Sequence, residues 1–150
     1  MLPFPLLCFP PTALDLKKST ETYFVKCLVR KKWLTLTPEE WVRQHIIAYF
    51  LNNLKIPLSY VSVEKSFHYG TLTKRWDILV YSQNYEPYIL IECKAPTVTL
   101  SNETLFQLFT YQHIVKGTFL GITNGLEAKY FEVTSAEAPL KPITNIPVWS

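Results

Sequence analysis

The sequence predicts a single domain of the α/β class, with a mixed central β-sheet flanked by helices. Of its 150 residues, 48% are hydrophobic and 18% are charged, which suits a chain that buries a core. Aromatic residues make up 15% of the chain and only four residues are glycine, which favours a mixed fold over a turn-rich all-β one. The spacing of apolar residues then predicts the order strand, helix, three strands, helix, two strands.

The first predicted helix has the clearest start in the chain. Thr37 is suited to cap it, Pro38 suits the first helical position, and Glu40 stands where a capping box with Thr37 needs an acidic residue. The helix is expected to run to about Leu54, and apolar residues around much of its circumference predict that it is largely buried. Residues 1–33 are predicted to form a proline-rich N-terminal arm with one edge strand near Thr22.

The predicted core spans residues 34–135 and ends in two further strands. A second helix is expected from a Ser101 cap to about Lys116, where Gly117 would end it. Residues 136–150 contain three prolines and are predicted to be a meandering tail. The predicted strands are Val61–Phe67, Trp76–Tyr81, Tyr88–Cys93, Phe119–Thr123 and Ala128–Val133.

Net charge and cysteine usage narrow the class of protein only slightly. A formal net charge of +3 is too small to indicate nucleic-acid binding by itself. The three cysteines show no zinc-ligand spacing, so a reducing cytoplasm is the expected location. The apolar start, residues 1–11, is broken by prolines and has no basic segment, which favours an extended arm over a signal peptide.

One predicted hairpin brings two acidic residues together. Asp77 and Glu92 are fifteen positions apart, so the midpoint between them falls between Asn84 and Tyr85, inside the predicted turn. In an antiparallel pair with that register the two carboxylates face each other, and strand alternation puts Lys94 beside Glu92. Opposed like charges are destabilising. A bound Mg²⁺ held by two carboxylates and a backbone carbonyl would offset that repulsion.

A simpler interpretation of the same residues stays open. Lys94 could form a salt bridge with Asp77 or Glu92 on an exposed face of the sheet, with no chemical role. The setting weighs against this, because apolar runs flank both acidic residues and charged groups on central strands rarely lack a partner or a task.

The motifs around these residues resemble a known nuclease superfamily. Arg75-Trp76-Asp77 and Leu90-Ile91-Glu92-Cys93-Lys94-Ala95-Pro96 look like motifs II and III of the PD-(D/E)xK superfamily. More narrowly, they are similar to the N-terminal nuclease domain of type I restriction enzyme R subunits and its small stand-alone relatives. Gln107 and Tyr111 match that branch's QxxxY element, and residues 37–44 look like its first core helix. The resemblance covers roughly residues 34–125, the restriction-endonuclease-like α-βββ-α-β core.

The resemblance implies metal-dependent hydrolysis of DNA phosphodiester bonds. Asp77, Glu92 and the backbone carbonyl of Cys93 would hold one or two Mg²⁺ ions, with Mn²⁺ as an alternative. Lys94 would position the attacking water or neutralise charge on the phosphate in the transition state. Gln107 could bond the phosphate or Lys94, and Tyr111 could stack nearby. The alternative for these last two is ordinary: a solvated glutamine and a tyrosine packed in the core.

Glu40 has two interpretations of equal weight. The capping box with Thr37 alone would explain it. The family resembled also has an acidic residue on this helix that helps to hold metal or water. Glu40 heads a half-buried helical stripe that includes Gln44, so Glu40 is preferred to Glu39 for that role.

Two short basic runs are candidate contacts to DNA phosphates. Lys74 and Arg75 precede Asp77 at the mouth of the proposed site. Residues 30–32 (Arg-Lys-Lys) form a second cluster. Both runs are equally compatible with ordinary solvated surface.

Two functions of different classes follow from the sequence. The first is a Mg²⁺-dependent nuclease, and the second is a non-catalytic DNA-binding or assembly domain that keeps the nuclease fold. The sequence has no GxxxxGK motif followed by Ser or Thr, so the chain is not expected to move along DNA by itself. The expected partners are DNA and either a separate motor or specificity protein or a second copy of the chain, with no membrane.

Overall fold

The part of the protein that the structure describes contains two β-sheets, two α-helices and one short 3-10 helix. The computed structural model describes residues 2–111, 119–135 and 137–150. Strands β1, β2 and β3 form a small antiparallel sheet in that order, and the remaining six strands form a larger sheet in sequence order. The small sheet consists of β1 (Leu16–Ser19), β2 (Thr22–Lys26) and β3 (Trp33–Thr35).

The larger sheet is mixed, as the sequence predicts. Its neighbouring strands are antiparallel except β6 and β7, which are parallel and are joined by the connection that contains helix α2 (Asn102–Tyr111). A short 3-10 helix (Leu58–Tyr60) precedes β4. The six strands are β4 (Val61–Tyr69), β5 (Leu72–Tyr81), β6 (Pro87–Cys93), β7 (Phe119–Thr123), β8 (Ala128–Glu132) and β9 (Lys141–Ile143).

Helix α1 (Pro38–Asn52) begins as predicted, but its capping box is only half formed. The hydroxyl of Thr37 accepts a hydrogen bond from the Glu40 N–H at 3.0 Å. The Thr37 N–H donates to the carbonyl of Thr35 and not to the Glu40 carboxylate. The Glu40 carboxylate therefore does not take part in the cap and accepts its hydrogen bonds from other residues.

The core has two layers, one on each face of the larger sheet. Alternation along β6 shows the division, because Ile89 and Ile91 pack on the α1 side while Leu90 packs on the other side with Leu108 of α2. The α1 side includes Val42, Ile46, Ile47, Phe50, Ile78, Val80 and Cys93, and the α2 side includes Trp76, Leu79, Leu120, Ile122 and Phe131.

The structure corrects two expectations about the chain ends. The N-terminal arm holds a complete three-stranded sheet instead of one edge strand. The proline-rich tail contributes β9, an edge strand in which the missing N–H of Pro142 is tolerated. The tail is also held by Trp149, whose indole N–H donates to the carbonyl of Tyr81 at 2.9 Å.

The C-terminal end of α1 differs from the prediction, and the predicted end of the second helix cannot be compared with the structure. Helix α1 ends at Asn52, two residues earlier than expected. The expected end of the second helix near Lys116 and Gly117 lies outside the described residues. Within the ranges described above, neither helix is long and apolar enough to cross a bilayer.

Candidate functional site

The predicted hairpin register is present. In the β5–β6 pair Ile78 lies opposite Ile91 and Leu79 opposite Leu90, which is the register that sets Asp77 opposite Glu92. The paired positions end at Ile78 and Ile91, and beyond them the strands part. Asp77 fills this gap with its side chain, because its Oδ2 accepts a hydrogen bond from the Cys93 N–H at 2.7 Å.

Strand β5 is irregular at Asp77. Regular alternation would put Trp76 and Ile78 on one face, yet Trp76 packs on the α2 side and Ile78 on the α1 side. Glu64, which falls opposite Asp77 in β4, has a φ of 53°, a left-handed value that only some residue types adopt easily. The Asp77 carboxylate consequently turns into the gap between the strands, toward α1.

Glu92 and Lys94 approach the same end of the sheet from β6. Ile91 and Cys93 both pack on the α1 side, so alternation puts Glu92 on the side of Leu90 and α2. The backbone of Lys94 is held by β7, because its N–H donates to the carbonyl of Thr123 at 2.8 Å. Asp77 thus departs from the shared face that regular alternation predicts for it and Glu92, although both lie where β5 and β6 part.

A buried arginine joins α1 to this end of the sheet. Arg43 is 8% exposed and makes two hydrogen bonds to Glu40, of 2.7 and 3.0 Å. Its Nη1 lies 3.3 Å from Oε1 of Glu64 and 3.8 Å from Oδ1 of Asp77. Glu64 also pairs with Arg30 at 2.6 Å and with Arg75 at 3.3 Å. One guanidinium therefore neutralises carboxylates from α1, β4 and β5.

The chain matches one family model over residues 38–147, described as the type I restriction enzyme R protein N terminus. It belongs to this family. The match begins at α1 and covers the larger sheet, leaving the three-stranded sheet outside it.

The fold of this R protein N-terminal chain is also similar to a solved structure from Vibrio vulnificus YJ016. That structure is the fragment structure of a putative HsdR subunit of a type I restriction enzyme, and the TM-score is 0.54 at 19% sequence identity. The similarity covers 75% of this chain and 24% of the other, so this chain spans about a quarter of that subunit fragment. Among curated proteins none matches the chain.

The two acidic residues at the start of α1 have different surroundings in this family member. Glu40 is 5% exposed, and its two oxygens accept hydrogen bonds from Arg43 and, at 2.8 Å, from the Gln44 amide. The neighbouring residue Glu39 is exposed, and its pKa is influenced by the charges around Asp77. Burial raises the pKa of Glu39, the charge of Asp77 raises it further, and Arg43 and Lys94 lower it in part.

The two carboxylates around Arg43 Nη1 have pKa values shifted in opposite directions. Burial raises the pKa of Asp77 above its ordinary value, although the Cys93 N–H, Arg43 and Lys94 act against this. Burial would also raise the pKa of Glu64, but Arg43, Arg30 and Arg75 outweigh it and lower that pKa. The Glu64 side chain is only 22% exposed and carries three ion pairs.

Among the remaining residues predicted for the site, the structure describes the side chain of Arg75 but only the backbones of the other three. Arg75 is well exposed and reaches Glu64, which leaves it at the mouth of the site. The backbones of Lys74, Gln107 and Tyr111 lie in β5 and α2, and their side chains lie outside the described part of the structure.

The donor atoms present suit a hard cation but do not form a complete cage. Within the described ranges, no three side chains of the His, Cys, Asp and Glu types are grouped to hold a metal ion. Asp77 and Glu92 are the acidic residues at the end of the hairpin, where the paired positions of β5 and β6 stop. Mg²⁺ commonly takes one or two carboxylates and keeps several waters, so this donor set fits Mg²⁺ better than a cation that needs many protein ligands.

Because the pKa values of Asp77 and Glu64 are shifted in opposite directions, removing one or the other carboxyl group should change the stability of the metal-free protein in opposite directions. The folded-state pKa of Asp77 is raised above 3.8, so its ionisation costs folding free energy as the pH rises through that range. The folded-state pKa of Glu64 is lowered below 4.5, so its ionised form stabilises the fold and that contribution is lost as the pH falls. Near neutral pH, Asp77→Asn should leave the free energy of unfolding unchanged or raised, and Glu64→Gln should lower it.

Urea unfolding of both variants in EDTA, from about pH 4 to about pH 7, measures this difference. As the pH falls, the difference in unfolding free energy between each variant and the wild type should shrink. Asp77→Asn should approach the wild-type value from above and Glu64→Gln from below. Loss of stability of equal size in both variants at neutral pH would contradict the assigned shifts.

Proposed function

We propose that this chain is a Mg²⁺-dependent nuclease domain of the PD-(D/E)xK type that hydrolyses DNA phosphodiester bonds. The observation that carries the proposal is that Asp77 and Glu92 both lie where the paired positions of β5 and β6 end, with Lys94 directly after the end of β6. Membership of a family described as a restriction enzyme R protein N terminus supports the same chemistry.

Asp77, Glu92 and the main-chain carbonyl of Cys93 would hold the cation. A bound Mg²⁺ would polarise the scissile phosphate and make a water molecule more acidic. The Lys94 ammonium is close enough to lower the pKa of both Asp77 and Glu39, so its charge acts on the site. Lys94 would orient the attacking water or stabilise negative charge on the phosphate in the transition state. Gln107 and Tyr111 would contact the substrate, as the QxxxY element suggests.

Arg43 acts on the reaction through Asp77. Three carboxylates converge on its guanidinium, and their mutual repulsion would be large in a partly buried setting without it. Its ion pair with Asp77 restrains the carboxylate that fills the gap between β5 and β6. Arg43 is therefore a positioning residue that keeps Asp77 in place before a cation arrives.

The domain would act with DNA and with another protein chain. This chain spans 24% of the solved HsdR fragment and its sequence has no phosphate-binding loop for ATP. A separate motor or specificity protein, or a second copy of this chain, would supply what a complete restriction system needs. The three cysteines are free thiols, which fits a reducing cytoplasm.

One observation favours a second function, that of a non-catalytic DNA-binding or assembly domain. Arg43 already pairs with Asp77, with its Nη1 3.8 Å from Oδ1 of that residue. A domain that had lost its cation could keep the fold through this ion pair. Cleavage assays separate the two functions.

Lys94→Ala should abolish DNA cleavage while leaving DNA affinity nearly unchanged. Deleting one preorganised electrostatic group typically lowers the rate by about two to three orders of magnitude. Cleavage is measured on plasmid and single-stranded DNA with Mg²⁺ or Mn²⁺, and affinity with Ca²⁺, using Lys129→Ala as a charge-matched control on β8. Mg²⁺ should also raise the melting temperature of the wild type and not that of Asp77→Asn.

Wild-type protein that binds DNA but cuts no substrate with either metal would establish the binding function instead. Equal Mg²⁺-dependent melting shifts in the wild type and Asp77→Asn would place the cation elsewhere.

Glu39→Gln and Glu40→Gln should have different effects. Glu40 is the buried partner of Arg43, and breaking such a pair costs about 3 kcal/mol or more, so Glu40→Gln should mainly lower stability. Glu39 is exposed and influenced by Asp77 and Lys94, so Glu39→Gln should lower the cleavage rate with little change in melting temperature. Melting curves and cleavage rates of both variants at one pH provide the test. A stable but inactive Glu40→Gln beside a fully active Glu39→Gln would instead assign the metal-binding role to Glu40.

A further inference from the structure

The outer face of the three-stranded sheet combines lysines with aromatic rings. In the register of this sheet, Lys17 lies opposite Phe24 and Lys26 lies opposite Trp33. Strand alternation puts these four side chains on one face, called here the basic–aromatic face. The other face carries Val25, which is fully buried. The small sheet is therefore two-sided, with one face packed on the protein and one face turned outward.

Basic residues greatly outnumber acidic residues around the basic–aromatic face. Residues 16–35 contain six basic residues and a single acidic one, Glu21, whereas the whole chain carries only +3. The strand positions that share the outer face hold lysine, serine, threonine and aromatic residues, and no carboxylate. Such a surface favours a polyanion. The six basic residues are Lys17, Lys18, Lys26, Arg30, Lys31 and Lys32.

The aromatic rings of this face are accessible and already contact a cation. Trp33 is 41% exposed, which is high for the largest apolar side chain. The Lys17 ammonium lies 4.4 Å from the centre of the Trp33 ring and 5.8 Å from that of Phe24. Surfaces that bind single-stranded nucleic acid combine these same groups, with bases stacked on rings and phosphates paired with lysines. A duplex hides the faces of its bases, so the rings could not be used in that way.

The basic–aromatic face is linked to the proposed catalytic site. The loop between β2 and β3 is held against α1, because the Leu28 N–H donates to Oε1 of Gln44 at 3.0 Å. In the same loop Arg30 pairs with Glu64, which in turn pairs with Arg43 beside Asp77. Lys31 and Lys32 are exposed on this loop. The loop between β2 and β3 therefore connects the basic–aromatic face to the ion pairs beside Asp77.

We propose that the basic–aromatic face binds single-stranded DNA. A protein partner with an acidic surface would also pair with the lysines. The two aromatic rings, however, would add little to its binding free energy, because carboxylates do not stack on rings as nucleic-acid bases do. The further step, that a strand held here enters the site at Asp77, rests on the proposed nuclease function. Binding itself needs neither a metal nor the carboxylates, so it can be tested separately from cleavage.

The test is a set of binding curves in EDTA, measured by fluorescence anisotropy. The probes are a labelled oligothymidylate of about 16 nucleotides and a blunt duplex of the same length. The variants are Trp33→Leu, which removes the larger ring, and Lys17→Ala combined with Lys26→Ala. The control is Lys129→Ala combined with Lys141→Ala, which makes the same charge change on β8 and β9. Melting curves confirm that each variant is folded.

The wild type should bind the oligothymidylate and prefer it to the duplex. Trp33→Leu should weaken binding by about tenfold, as the loss of one base–aromatic stack does elsewhere. The double lysine variant should reduce the slope of log affinity against log salt by about 1.4, at about 0.7 per phosphate contact. The control variant should bind like the wild type.

Three results would overturn the proposal. The first is a wild type that binds no oligothymidylate or prefers the duplex. The second is a folded Trp33→Leu variant with unchanged affinity, or a control variant that loses as much as the lysine variant. The third is displacement of the oligothymidylate by polyglutamate as effective as displacement by unlabelled strand. None of these results depends on whether the protein cleaves DNA, so failure here leaves the nuclease proposal to its own assay.

Discussion

The rest of the site depends on the burial of one positive charge. An arginine at 8% exposure must be paired, and Arg43 finds its partners in three elements: Glu40 in its own helix, Glu64 in β4 and Asp77 in β5. The pairing fixes the start of α1 against the end of the larger sheet. Glu64 also pairs with Arg30, which lies in the loop between β2 and β3 of the small sheet. Ion pairs therefore connect both sheets to the Arg43 guanidinium.

The irregular backbone beside Arg43 follows from the same arrangement. Glu64 adopts a left-handed conformation, and Asp77 accepts the Cys93 N–H with its side chain instead of extending the ladder. Departures of this kind reduce local regularity and are common where a site needs a side chain in a place that a regular strand would not put it. Here they bring a carboxylate into the opening between two central strands.

The sequence predicts the hairpin register and the sheet class but not the ion network. The register follows from symmetry, because the turn lies midway between Asp77 and Glu92. Arg43 looks like an ordinary helical partner of Glu40, three residues away, and Glu64 like an exposed strand residue, so only tertiary packing shows that they meet. The buried stripe of α1 suggested Glu40 for the metal, and the structure adds that the Glu40 carboxylate pairs with Arg43. Strand β2 matches the edge strand predicted near Thr22, whereas β1 and β3 were missed because three or four residues carry little periodicity.

The central claim is that the opening between β5 and β6, kept in place by Arg43, is a cation site. Crystals grown with Mn²⁺ and measured at the manganese absorption edge test it most directly, because the anomalous signal locates the ion without assumptions about the protein. The account predicts one peak bonded to the carboxylates of Asp77 and Glu92. A peak held by other residues, or none at a Mn²⁺ concentration that supports cleavage, would contradict it.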